Sequence, residues 1–118
     1  MKEIELPKVT DDRGNLSFFE SERSIPFKIK GVRLLNIYNT DDQYKLRIIR
    51  VLVSFFALSG SFLFKNSNAD NFINGIFLQN ANKGVYIAKN TDFILSGFAE
   101  NTVVLIISST EEFNVRKI

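Results

Sequence analysis

Apolar residues along this chain either alternate with polar ones or run together in short blocks, and no window of about 11 residues repeats them at helical spacing. The densest block is 46–64, rich in Val, Ile, Leu and Phe, which pack better on a pleated surface than around a helix. It predicts one long strand, a tight turn at Ser59-Gly60 and a returning strand, together a central hairpin. In a regular strand Leu46, Ile48, Arg50, Leu52, Ser54, Phe56 and Leu58 share one face, and Arg47, Ile49, Val51, Val53, Phe55 and Ala57 the other. Both rows are largely apolar, so the strand is expected to be covered on both sides, by the domain interior and by something else such as a second subunit.

The rest of the chain reads as shorter strands. Residues 4–9 predict a first one, closed by the turn formers Asp11, Asp12, Gly14 and Asn15, and 16–20 predict a second. Pro26 lacks an N–H and extends Ile25, which makes a bend before the alternating run 27–38. A polar loop at 39–43 leads into the central block. Beyond it, Asn-rich punctuation at 66–71, 80–84, 89–92 and 99–102 separates the β-type runs 72–78, 85–88, 93–97 and 103–108. Residues 111–117 read as a turn of helix or a last strand. Short strands at such regular spacing predict an all-β sandwich, jelly roll or small barrel.

Composition narrows the function classes. The 118 residues suffice for one domain, 1–118, with its own core. Twelve Phe without any Trp predict aromatic packing, and the absence of Cys excludes disulfides and thiolate metal sites. A net charge of +2, with Lys and Arg scattered among acids, argues against a nucleic-acid partner. Lys2, Glu3 and Glu5 stand where a signal peptide needs apolar residues, and Arg47 and Arg50 break a block already too short for the ~20 apolar residues of a membrane helix. The expectation is a soluble, cytoplasmic protein with no membrane partner.

Asp12-Arg13-Gly14, Leu16, Glu20, Ile25-Pro26-Phe27, Ile29-Lys30 and Val32 resemble the N-terminal part of the cupin-type sugar 3,4-ketoisomerases, which act on dTDP-4-oxo-6-deoxyglucose, and of the related WxcM-like domains. Leu58-Ser59-Gly60-Ser61 and Gly84-Val85-Tyr86-Ile87 extend the similarity over most of the chain. The resemblance implies an RmlC-like, cupin-like jelly-roll barrel, a homodimer, and a place in the biosynthesis of unusual sugars for bacterial surface polysaccharides. It also sets the family's paired catalytic histidines on Leu46 and Ile48, the cupin glutamate on Leu52, a later histidine on Phe93 and an arginine near Gln43.

The chain contains no histidine at all. Ketoisomerisation takes a proton from beside one carbonyl and returns it to the neighbouring carbon, which requires a group that titrates near neutrality within hydrogen-bond reach of the sugar. Leu, Ile and Phe transfer no protons, and they offer no donor to a metal. Neither catalytic residues nor a metal or cofactor are therefore expected.

What remains at the implied site is a degenerate ligand pocket of Gln43, Leu46, Ile48, Arg50, Tyr86 and Phe93. The competing reading is plain core filling by the apolar members, each burial contributing roughly 1.5–3 kcal/mol. On an interior face Arg50 needs an anionic partner, whereas at a barrel mouth it reaches water. Asp11, Asp12, Asp41 and Asp42 read as turn residues, since their spacing is not that of a calcium loop. Glu20 and Asp92 are the available replacement acids or bases. Ile49, Val51, Val53 and Phe55 form the row expected at a homodimer interface. The function expected is a non-catalytic binding or structural protein of nucleotide-sugar metabolism, with a nucleotide sugar or a glycan-biosynthesis enzyme as partner. The alternatives are an active isomerase or epimerase using Tyr or Asp, and a module that regulates a partner sugar enzyme.

Overall fold

The computed structural model describes residues 2–5, 8–11, 14–17, 25, 27–48, 52–66, 75–88, 91–110 and 115–117. Among them are twelve strands and no helix: β1 (Lys2–Glu5), β2 (Lys8–Asp11), β3 (Gly14–Ser17), β4 (Gly31–Asn36), β5 (Tyr44–Ile48), β6 (Leu52–Ser59), β7 (Phe62–Asn66), β8 (Ile76–Leu78), β9 (Lys83–Ala88), β10 (Thr91–Ser96), β11 (Val103–Ser108) and β12 (Val115–Lys117). Among the described residues there is thus no helix long and apolar enough to cross a membrane. Two five-stranded sheets carry the fold, the first in the order β1-β9-β6-β11-β4 and the second in the order β12-β5-β10-β7-β8. β2 and β3 form a separate hairpin. Every pairing is antiparallel, and from β4 onward successive strands mostly change sheet, which is the all-β jelly roll that the resemblance implies and one of the three architectures the sequence pattern allows.

The central hairpin is not formed. The expected long strand is divided into β5 in the second sheet and β6 in the first, and Ser59-Gly60 is a corner between sheets. β6 pairs with β9 and β11, whereas β7 pairs with β10 and β8. Gly60 turns this corner with φ +70°, and a Cβ there would run into Thr102. The Thr102 hydroxyl ties the corner down, accepting from Ser61 N–H at 3.2 Å and donating to the Ala99 carbonyl at 2.7 Å.

The core between the sheets holds Val53, Phe55, Phe62, Phe64, Val85, Ile87, Phe93, Leu95, Val104 and Ile106. Val53 and Phe55 are both 0% exposed within this one chain. Two members of the expected interface row therefore face the protein's own interior and offer nothing to a second subunit. Ile49 and Val51 lie outside the described residues.

β6 is covered on both faces, as its double apolar pattern predicts, but the second cover is the chain itself. Ile25 and Phe27 lie on the outer face of the first sheet against Phe56, Leu105 and Ile107. Lys30 N–H donates to the Ser108 carbonyl at 2.9 Å and fastens this segment to β11. Beneath the strap Ser54 is 0% exposed, and its Oγ has no hydrogen-bond partner.

Candidate functional site

The three positions at which the resemblance sets histidines come together in the second sheet. In the β5–β10 ladder Leu46 stands opposite Phe93 and Ile48 opposite Thr91. Positions 46 and 48 keep the pleat phase of Tyr44, which packs on the inter-sheet core, and Phe93 keeps that of the buried Leu95. A regular alternation thus brings three distant sequence positions onto one patch of sheet.

Around Phe93 the interior is filled with rings. Phe93 is 1% exposed and stacks on Phe64 with centroids 4.7 Å apart; Phe64 in turn lies 5.1 Å from Phe55. Further along the sheet Phe98 bridges Phe62 and Tyr44, at 6.1 and 5.9 Å. Such offset and edge contacts each contribute about 0.5–1.5 kcal/mol beyond area burial. The phenylalanines of this ring network carry no ionisable group.

Of the remaining expected site residues, the described ones do not join that patch. Gln43 is exposed in the loop before β5. Tyr86 points the other way: it lies on the outer face of the first sheet, stacked on Phe27 at 6.0 Å, because Val85 and Ile87 take the inward phase of β9. Arg50 lies outside the described residues, as does Glu20. Asp92 has the phase opposite to Phe93, facing away from the interior, with Arg47 across the ladder. Asp41 and Asp42 belong to a turn in which Asn39 accepts from both backbone N–H groups, at 2.9 and 3.1 Å. Asp42 also meets Lys117 at 3.1 Å, and that hydrogen bond, with the carboxylate's charge, raises the ammonium's pKa. The described residues contain no group of three or more His, Cys, Asp or Glu placed to hold a metal ion.

The model of the family FdtA, described as WxcM-like, C-terminal, matches residues 1–116. The chain belongs to the FdtA family. Similar solved structures include the QdtA 3,4-ketoisomerase from Thermoanaerobacterium thermosaccharolyticum, a double mutant in complex with TDP. It shares 24% identity at a TM-score of 0.82, over 94% of this chain and 80% of that one. The WlaRB TDP-quinovose 3,4-ketoisomerase from Campylobacter jejuni gives 23% and 0.84 over 94% and 85%, and a 3,4-ketoisomerase from Helicobacter canadensis gives 22% and 0.79 over 94% and 84%. A comparison with curated proteins gives no match. At these identities the likeness of this FdtA-family chain to the solved enzymes is one of fold.

The structure also contains a feature that the sequence reading missed. An open cavity of 420 Å³ lies between β1 and β8, with Glu5, Ile76, Leu78, Gln79, Asn80 and Lys83 among its lining residues. No spacing in the sequence announces it, because Glu5 and Lys83 meet only through the β1–β9 ladder.

Proposed function

We propose that this FdtA-family chain is a non-catalytic binding protein of nucleotide-sugar metabolism in surface-polysaccharide biosynthesis. The reading is carried by one observation: the ladder gathers positions 46, 48 and 93, and the residues there are Leu, Ile and Phe, in a chain without histidine. The stacking of Phe93 on Phe64 supports it further, since a packed ring occupies the place of an acid or base. QdtA has been obtained in complex with TDP and with TDP-4-keto-6-deoxyglucose, so a nucleotide sugar is the ligand class to offer this relative first. The protein works in the cytoplasm.

A mixing experiment with dTDP-4-oxo-6-deoxyglucose tests this. No 3,4-ketoisomer accumulates above the uncatalysed background, while TDP or the sugar nucleotide raises the melting temperature. Turnover that a pocket substitution abolishes would establish an active isomerase instead. Absence of both turnover and stabilisation would favour a module that regulates a partner enzyme.

The chain is further proposed to form a homodimer, with its contact moved to the outer face of the first sheet. Val32 and Leu34 on the edge strand β4 are 54% and 59% exposed, and they continue the apolar row of Leu105 and Ile107 across the β11 ladder. This exposed apolar edge favours a second copy.

A further inference from the structure

β1 and β8 each stand at one end of their sheet, and the cavity is lined by residues of both strands. Two apolar side chains, Ile76 and Leu78, lie at its floor. Leu78 is 4% exposed, and Ile76 packs against the inter-sheet core. Its rim is polar and carries both charges. Glu5 stands directly opposite Lys83 in the β1–β9 ladder, and both share the inward pleat phase of Val85. Gln79 and Asn80 complete the rim from the turn that joins β8 to β9, which is closed by Lys83 N–H donating to the Asn80 carbonyl at 3.1 Å.

These groups define what fits. The 420 Å³ volume falls within the roughly 300–1,000 Å³ of small-molecule sites. The carboxylate accepts hydrogen bonds, the ammonium donates them, and each amide does both, so the rim suits a ligand whose polar groups are themselves donors and acceptors. Among the described lining residues one acid balances one base, which leaves no surplus cation there for a phosphate. A pyranose ring has this character: an apolar C–H face for the floor of Ile76 and Leu78, and hydroxyls that donate to Glu5 and accept from Lys83. We propose that the β1–β8 cavity is a binding site for an uncharged saccharide, separate from the β5–β10 patch. The proposal does not rest on the reading of that patch, and it holds whether or not the chain turns over a sugar nucleotide.

The test is amide chemical-shift mapping of the full chain titrated with methyl glycosides of glucose, galactose and rhamnose, with TDP and glycine as charged and zwitterionic controls. At least one glycoside shifts the amides of Glu5, Gln79, Asn80 and Lys83 in a saturable way, and neither control does. Glu5→Gln and Lys83→Met each weaken the glycoside about tenfold, the expected loss of one charge-assisted hydrogen bond, and leave the melting temperature unchanged. Asn80→Ala is a second probe of the same rim and weakens the glycoside without moving the control spectra. The proposal is overturned if no glycoside moves these amides, if TDP or glycine moves them as strongly, or if the rim variants bind unchanged.

Discussion

Phe64 and Phe93 lie stacked between the two sheets, with ring centroids 4.7 Å apart and planes inclined by 30°. Phe93 is also the residue opposite Leu46 in the β5–β10 ladder, so this stack sits at the position where relatives are expected to hold a catalytic histidine. Phe93→Ala should cost about 3–5 kcal/mol, the usual loss for truncating a buried Phe. Phe93→His should also be destabilising, since it places a polar imidazole where a buried ring now stacks on Phe64. Denaturant unfolding of both variants checks this, and a wild-type midpoint for Phe93→His would mean that the site is open and wet.

Restoring Leu46→His, Ile48→His and Phe93→His together should not create an isomerase. The three imidazoles would stand on adjacent positions of one sheet beside the packed ring of Phe64, whereas catalysis also requires a shaped sugar site and supporting hydrogen bonds that fix each tautomer. The assay is product formation from dTDP-4-oxo-6-deoxyglucose by a variant first shown to be folded. Catalysis by the triple variant would show that only the three side chains, and not the cavity, were lost.

Ser54→Ala should stabilise the protein, by about 1 kcal/mol. The Oγ is buried without a hydrogen-bond partner between the strap and β6, so removing it relieves a desolvation penalty while leaving almost no void. A melting temperature below that of the wild type would mean that the hydroxyl has a partner in solution.

The corner at Gly60 should tolerate no side chain. Its φ of +70° is unfavourable for other residues, and the added Cβ meets Thr102, so Gly60→Ala should cost about 1–3 kcal/mol. Thr102→Val should cost about as much, because it strips the partner from Ser61 N–H and from the Ala99 carbonyl. Thermal melts decide, and a neutral Gly60→Ala would mean that the corner rearranges freely.

Val53→Lys and Leu34→Lys should fail in different ways. Val53 is buried in the protein's own core, so a lysine there unfolds the chain. Leu34 is 59% exposed, and its lysine variant should stay folded but become monomeric. Circular dichroism with light scattering separates the two outcomes, and a folded dimer carrying Leu34→Lys would move the interface off β4.

How far the sequence could be read depended on what each signal distinguishes. Val103–Ser108 was legible to the residue, because a purely β-type run stands between Asn101-Thr102 and Ser109. The resemblance gave the family, and the register did bring positions 46, 48 and 93 together. Ser59-Gly60 misled, since a glycine turn between two apolar runs reads the same for a hairpin and for a corner between sheets. Tyr44 of β5 and Val53 and Phe55 of β6 all pack on the inter-sheet core although the spacing from Tyr44 to either is odd, so strict alternation carried through from Leu46 assigned Val53 and Phe55 to the wrong side. Tyr86 was misplaced for a similar reason, its phase being set by Val85 and Ile87. The β1–β8 cavity had no local signal, because its rim is assembled by pairing of β1 with the distant β9.

The separation of β6 from β7 bears on how the protein is made. On the ribosome β6 emerges with neither neighbour available: Leu52 must wait for Ala88, and Val53 for Ser108. Until then the nascent chain displays Val53, Phe55, Phe56 and Ala57 as an unpaired strand, uncharged and free of proline, the profile of a self-associating segment. Synthesis should therefore be the most vulnerable moment in the life of this protein, and a chaperone that holds apolar strands should raise its soluble yield more than any substitution on the finished surface.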